Sequence, residues 1–262
     1  MPAFYAHHRF GERVLPLLGA EAKATVCKYR NAFNIGLQGP DIFFFYRPYK
    51  KNSINQYGES LHSASAYGFF AHAADIIRQR GCDSGEYAYL LGFLCHFILD
   101  SECHPYVDEM IEKTGVQHME IEEEFEKLLL RADGHDALAF PLAALVPEAK
   151  GVSRYIYPFY TVNIEDIEQS VKDLKSVKRL FTAPGALKQG VINTAMKLTG
   201  NYTKYKGQMN QRRDNPACIP SNKGLSERFD SAVPLAVKMA ESLENSIKSG
   251  CALDKRFDRT FE

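Results

Sequence analysis

The chain has 262 residues, 45% of them hydrophobic, enough to bury a sizeable core in one large domain or two small ones. Lys plus Arg and Asp plus Glu both number 32, so the formal net charge is zero, which removes any global reason to expect a nucleic-acid or anionic-membrane partner and leaves only local patches. No apolar run reaches the roughly 18 residues of a membrane span, and "MPAFYAHHRFGERVL" lacks the charged-then-apolar pattern of a secretory leader, so a cytoplasmic location is expected.

In chain order, helical periodicity dominates. Gly11 to Leu18 and Glu21 to Ile35 read as two helices hinged near Gly19, with His7 and His8 just ahead of them. "DIFFFYRPYK", bracketed by Gly39-Pro40 and Pro48, reads as a structured loop. Ser60 to Arg80 reads as one long helix, with His62 at its start and His72 on its packed side. Glu86 to Asp100 is apolar almost all round, as a central, fully packed helix would be, and Pro105 is expected to end it soon after His104. Gln117 to Arg131 is amphipathic, and further helices are expected at Ile164–Phe181, Leu187–Thr199 and Leu225–Ser249. "VSRYIYPFY" (152–160) is a candidate cover for a pocket, and Asn201 to Lys223 reads as a mobile loop. No strand alternation, repeat or low-complexity tract is present. The six cysteines form no CxxC and are expected to be free thiols, several of them buried. The expectation is a single all-α multi-helix domain over 1–262, with a metal cluster held between central helices.

"GFLCHFILDSECHPYV" (92–107) sets His96, Asp100 and His104 at steps of four, on one helical face. His118 and Glu122 repeat the step in "HMEIE". A polar group left unpaired inside so apolar a helix costs roughly 1–3 kcal/mol. A divalent ion satisfies several such groups at once, and imidazole nitrogen with carboxylate oxygen is an ordinary zinc donor set. A single pair of this kind is better explained by a His–Asp ion pair or a capped helix end; recurrence over two helices, among only eight histidines, favours metal. Asp41 alone reads as a turn carboxylate, His62 as a capping or surface imidazole, and His135-Asp136 as an ordinary loop pair despite its likeness to half of an HD phosphohydrolase signature.

The ordered set "H..FG", "QGPDIFFFY", "SLHS", "GFLCHFILDSECHPYV" and "HMEIE" resembles the zinc-dependent phospholipase C family, which belongs with the S1/P1-type nucleases in an all-α trinuclear zinc superfamily. The resemblance covers 1–132; residues 133–262 carry no matched motif and are expected to be helical scaffold or cover. It implies a first metal site of Asp41, His62, His96 and Asp100, with Asp100 bridging, and a second of His104, His118 and Glu122. It implies a third site at His7, with His8 as the fallback, completed by the chain's terminal amine and carbonyl. The family's secreted members expose an N-terminal Trp there, whereas this chain has no Trp and begins Met1-Pro2. Two or three Zn²⁺ ions are therefore expected.

The resemblance further implies a phosphodiesterase in which metal-bound hydroxide attacks phosphorus, with Asp41 or Glu122 orienting or deprotonating the water. The expected substrate is a phospholipid headgroup or a soluble phosphodiester. "FFFY" (43–46) and "YIYPFY" (155–160) either line an acyl groove or pack in the core. The competing readings are an S1/P1-like nuclease, hinted at only by the basic stretch Lys204–Arg213, and a non-catalytic metal-binding protein. A ferritin-like di-iron protein is argued against by the absence of Glu-x-x-His pairs in the right places.

Overall fold

The computed structural model describes residues 4–262, and for Lys204 the backbone alone. Among them lie twelve α-helices and no strand. The helices are α1 Phe4–Val14, α2 Ala20–Lys28, α3 Arg30–Gly36, α4 Ser53–Ser63, α5 Tyr67–Arg80, α6 Gly85–Thr114, α7 His118–Ala132, α8 Ala149–Ile156, α9 Ile164–Phe181, α10 Ala186–Leu198, α11 Tyr202–Tyr205 and α12 Ile219–Ser249. No helix is long and apolar enough to cross a membrane. All six cysteines are free, with Cys95, Cys103 and Cys218 buried.

The axis of the fold is α6, started by the Ser84 hydroxyl accepting the Tyr87 N–H and stopped by Gly115 in the left-handed region. It is buried on nearly every side from Gly85 to Ser101, which matches its all-round apolar sequence. Two glycines let α3 lie directly on it. A Cβ on Gly36 would sit 2.3 Å from the Tyr89 carbonyl oxygen, and one on Gly92 would sit 2.2 Å from the Phe33 carbonyl oxygen. Backbone therefore meets backbone at this crossing, and the two helices are locked in register. Helices α1, α2, α5, α7, α8 and α12 also pack on α6, and the main core runs from Phe4 to Phe261.

The structure corrects several boundaries. Helix α1 begins at Phe4, so His7 and His8 lie inside it rather than ahead of it. The expected Glu21–Ile35 helix breaks at Tyr29 into α2 and α3. The expected Ser60–Arg80 helix is α4 and α5 with a gap at 64–66, where the Ala66 N–H donates to the Arg259 carbonyl of the closing segment. His62 consequently ends a helix instead of starting one, and His72 is exposed rather than packed. Pro105 does not stop α6, which continues to Thr114. A proline there frees the carbonyl four residues back, that of Ser101, and the Arg259 guanidinium donates to it at 3.4 Å.

The segment 201–223 is not a loose loop. Its backbone N–H groups at Gln211 and Asn215 each donate at 2.7 Å to buried carboxylates of α7, Glu123 and Glu124. Lys127, fully buried, pairs with Glu123, Glu124 and Asp214, and Arg131 holds Asp214 through both of its terminal nitrogens. A row of carboxylates that looks like a solvated helix face is thus the anchor for the segment. The two aromatic runs also belong to the core. Phe43 and Tyr160 pack edge to face at 4.9 Å, Phe159 packs on Tyr89, and only Tyr157 of the second run is largely exposed.

Candidate metal centre

Each candidate donor is aimed by a local feature of the chain. Gly39 takes φ +49°, and a Cβ on it would strike the His96 ring at 2.2 Å, so the turn that carries Asp41 lies flat against that imidazole. The 3-10 turn Gly39–Phe45 then points Asp41 at His62 of α4, Nε2 to Oδ1 being 2.8 Å. Helix α1 is pinned at its start by Glu126, which accepts the Tyr5 N–H at 2.7 Å, and by Asp133, which holds Tyr5 and Arg9. In that rotation His7 faces inward while His8 sits half-buried near Glu12. The terminal amine expected to complete a third site lies outside the described residues.

Two groups of donors come together, each within 4.8 Å: Asp41, His62, His96 and Asp100, and His104, His118 and Glu122. Asp100 sits between them. One oxygen lies 3.0 Å from His96 Nε2, and the other lies 3.2 Å from His7 Nε2 and 4.0 Å from His104 Nε2. His7 stands outside both groups, stacked on His96 with ring centroids 4.3 Å apart. Glu122 reaches His118 at 2.8 Å and His104 at 3.6 Å.

The hydrogen bonds decide what these groups are for. His96, His62 and His104 each place Nδ1 against a backbone carbonyl: Leu37 at 3.2 Å, Gly58 at 2.8 Å and Phe261 at 2.7 Å. Each carbonyl can only accept, so Nδ1 of each ring carries a proton and Nε2 is the atom turned to the centre, where that of His62 is hydrogen-bonded to Asp41 at 2.8 Å. Opposite these nitrogens stand carboxylates, which can only accept. His7 Nε2, His96 Nε2, His104 Nε2, both Asp100 oxygens and Glu122 Oε2 are buried and have no aligned hydrogen-bond partner among the described residues. At distances near 3 Å without hydrogen-bond alignment, these polar atoms converge on common points. Such an array costs roughly 1–3 kcal/mol per orphaned group unless a cation stands between them. The donor set therefore fits zinc, with imidazole and carboxylate ligands.

The electrostatics agree. Burial raises the Asp100 carboxyl, but His96, His104 and His7 outweigh it and hold the group well below the usual carboxylate range. Burial likewise opposes ionisation of Glu122, yet His118 and His104 hold it down to about 2. Burial, reinforced by His96, pushes His7 down to about 4, so it is neutral at pH 7. His104 goes the other way: Asp100 and Glu122 overcome its burial and lift it to about 9. An incoming cation must displace that proton.

One contributor escapes a reading of side chains alone. Phe261 holds two of these histidines through its backbone, since its carbonyl accepts from His104 and its N–H donates to the His62 carbonyl at 3.2 Å. Its ring packs on His62 and His96. The available signal was the pair Phe257 and Phe261, two apolar residues four apart in an otherwise charged "DKRFDRTFE".

An all-helical fold that brings together two His/carboxylate groups, each able to hold a metal ion, defines a candidate metal centre of the helical type. A family profile described as zinc dependent phospholipase C matches residues 6–181, so the chain belongs to the zinc-dependent phospholipase C family. No curated protein and no solved structure matches it.

Proposed function

We propose that this chain is a zinc-dependent phosphoesterase that hydrolyses a phosphodiester, working as one domain over 1–262. The observation that carries the reading is the set of orphaned, mutually unaligned donors around Asp100, set beside membership of the family. Asp41, His62, His96 and Asp100 would hold one zinc, His104, His118 and Glu122 would hold a second with Asp100 beside both, and His7 would contribute to a third. Zinc in such a site supplies Lewis-acid charge for the phosphate and lowers the pKa of water toward neutrality.

The rest of the chemistry belongs to the chain. Asp41 and Glu122 are ionised at neutral pH and bordered by imidazoles, so either can orient the attacking water and take its proton. Of the two, Glu122 is nearer to solvent, because its partner His118 is 38% exposed, and we assign it the larger part. The apolar body of α6 keeps bulk water from the remaining donors. A nuclease reading is weakened by the state of the basic stretch 204–213: Lys206 is already paired with Glu120, and the segment's backbone is tied to α7.

The test is metal content by elemental analysis, together with turnover of a chromogenic phosphorylcholine ester, a single-stranded oligonucleotide and a simple monoester. The expected result is zinc with preferential diester cleavage. Zinc without turnover of any of the three would replace this reading with a non-catalytic metal protein.

A further inference from the structure

Helix α10 turns its apolar side outward. Leu187, Val191 and Leu198 are 82%, 62% and 84% exposed and, with Ala195, form one stripe at helical spacing. The opposite side carries Gln189 and Met196, which are buried, and Met196 packs with Ala183 and Met209 in a small core separate from the main one. The stripe is therefore not a core face left uncovered, because the helix already has its own packed side.

Charge singles out the same segment. From Thr182 to Arg213 the sequence has Lys188, Lys197, Lys204, Lys206, Arg212 and Arg213 and no Asp or Glu, although the chain as a whole is neutral. On a helical wheel Lys188 and Lys197 fall on the two flanks of the stripe. Neither pairs with a carboxylate: Lys188 donates to the Arg179 and Thr182 carbonyls, and Lys197 lies over the Tyr202 ring. Arg212 donates to the Pro184 carbonyl, and Lys206 alone among the described side chains is matched by an acid, Glu120. An outward apolar stripe between unmatched cations is the pattern of a helix that lies in the interface of an anionic bilayer. A second copy of the chain would bring like charge against like charge.

Placement ties the surface to the metal centre. Lys206 grips Glu120 at 2.6 Å, and Gly207 lies so close to the start of α7 that a Cβ would meet the Met119 carbonyl oxygen at 2.2 Å. His118, the one half-buried member of the donor groups, begins that helix. We propose that α10, with its basic flanks, docks the protein on anionic phospholipid membrane and sets the open side of the metal centre next to the lipid. The docking surface stands on its own observations. That it presents substrate rests on the phosphodiesterase reading above.

The experiment is co-sedimentation of the intact metal-loaded protein with phosphatidylcholine vesicles, with and without phosphatidylglycerol. Hydrolysis of a water-soluble diester and thermal melting are followed in parallel. Binding to the anionic vesicles is expected, weakened by salt, with little binding to phosphatidylcholine alone. Leu187→Ser with Leu198→Ser should lower partitioning roughly tenfold per leucine, and Lys188→Gln with Lys197→Gln should weaken binding to anionic vesicles only. Neither pair should shift melting or soluble-diester turnover, since all four side chains are exposed. Three results would overturn the proposal: equal sedimentation of the parent and the leucine variant, a solution dimer dissolved by the leucine substitutions, or oligonucleotide binding lost with the lysines and indifferent to the leucines. Vesicle binding without diester turnover would instead count against the phosphodiesterase reading and leave the surface intact.

Discussion

The two donor groups share Asp100 as a neighbour and differ in almost everything else. Asp41, His62, His96 and Asp100 come from a 3-10 turn and two helices, and each is nearly inaccessible. Two of their imidazoles are fixed by carbonyls of Leu37 and Gly58. His104, His118 and Glu122 come from α6 and α7 alone, and His118 opens to solvent with Glu122 as its partner. On the proposed reading, the dry group would exchange its ion slowly, and the group with one open ligand would admit water and substrate. The centre would then combine a fixed electrostatic anchor with an accessible reaction side.

The sharpest way to break this contrast is at the shared residue. Asp100→Asn should empty both groups and lower turnover by more than about a thousandfold, with elemental analysis and diester kinetics as the readouts. Full zinc and full turnover would end the bridging role. Glu122→Gln should separate the groups, removing the ion at the open side while zinc at Asp41 and His96 persists. Loss of all zinc from that variant would make the two groups a single unit.

The carbonyl of Phe261 tests the same difference more gently. Deleting 261–262 should weaken zinc at the His104 group roughly 10–100-fold, measured by chelator competition. Phe261→Leu keeps the carbonyl and should stay near the parent value. If both variants lose zinc equally, the segment acts by packing and not through its hydrogen bond.

The smallest effect concerns pH. In the metal-free protein His104 sits at about 9, above its unfolded value, so its stabilising contribution is complete below about pH 6.5 and disappears as pH rises through 9. That amounts to about 3 kcal/mol, readable by urea unfolding across this window. Zinc affinity at the same group should move oppositely, rising as the competing proton leaves. His104→Gln should flatten both trends. His7, held at about 4, should give no such slope above neutrality.

Much of this centre was legible in the sequence because its geometry is local. His96, Asp100 and His104 share a face by helical spacing alone, as do His118 and Glu122, and an apolar helix makes its polar residues conspicuous. The all-α class followed from the same periodicity. The relations that stayed hidden are made by backbone atoms across long separations. No pattern in "SLHSASAYG" shows that residues 64–66 must break to receive Arg259, or that Phe261 will hold His104 across 157 residues. Pro105 misled for a related reason: its cost depends on what satisfies the Ser101 carbonyl, and that group lies at the far end of the sequence. The amphipathic pattern of α7 gave no sign of what its acidic side holds, because the partners, the amides of Gln211 and Asn215, are invisible to composition.

The grip of Phe261 on His62 and His104 also bears on the order in which the molecule matures. Every candidate donor lies between residues 7 and 122 and leaves the ribosome long before residue 261 does. Until then His104 has no acceptor for its Nδ1 proton, and the break between α4 and α5 has nothing to receive. Early helices can collect around α6, but His104 gains the carbonyl that fixes its ring only when residue 261 arrives. On the proposed reading, a zinc site at His104 is therefore completed later than one at His96, because it waits for residue 261 to be made.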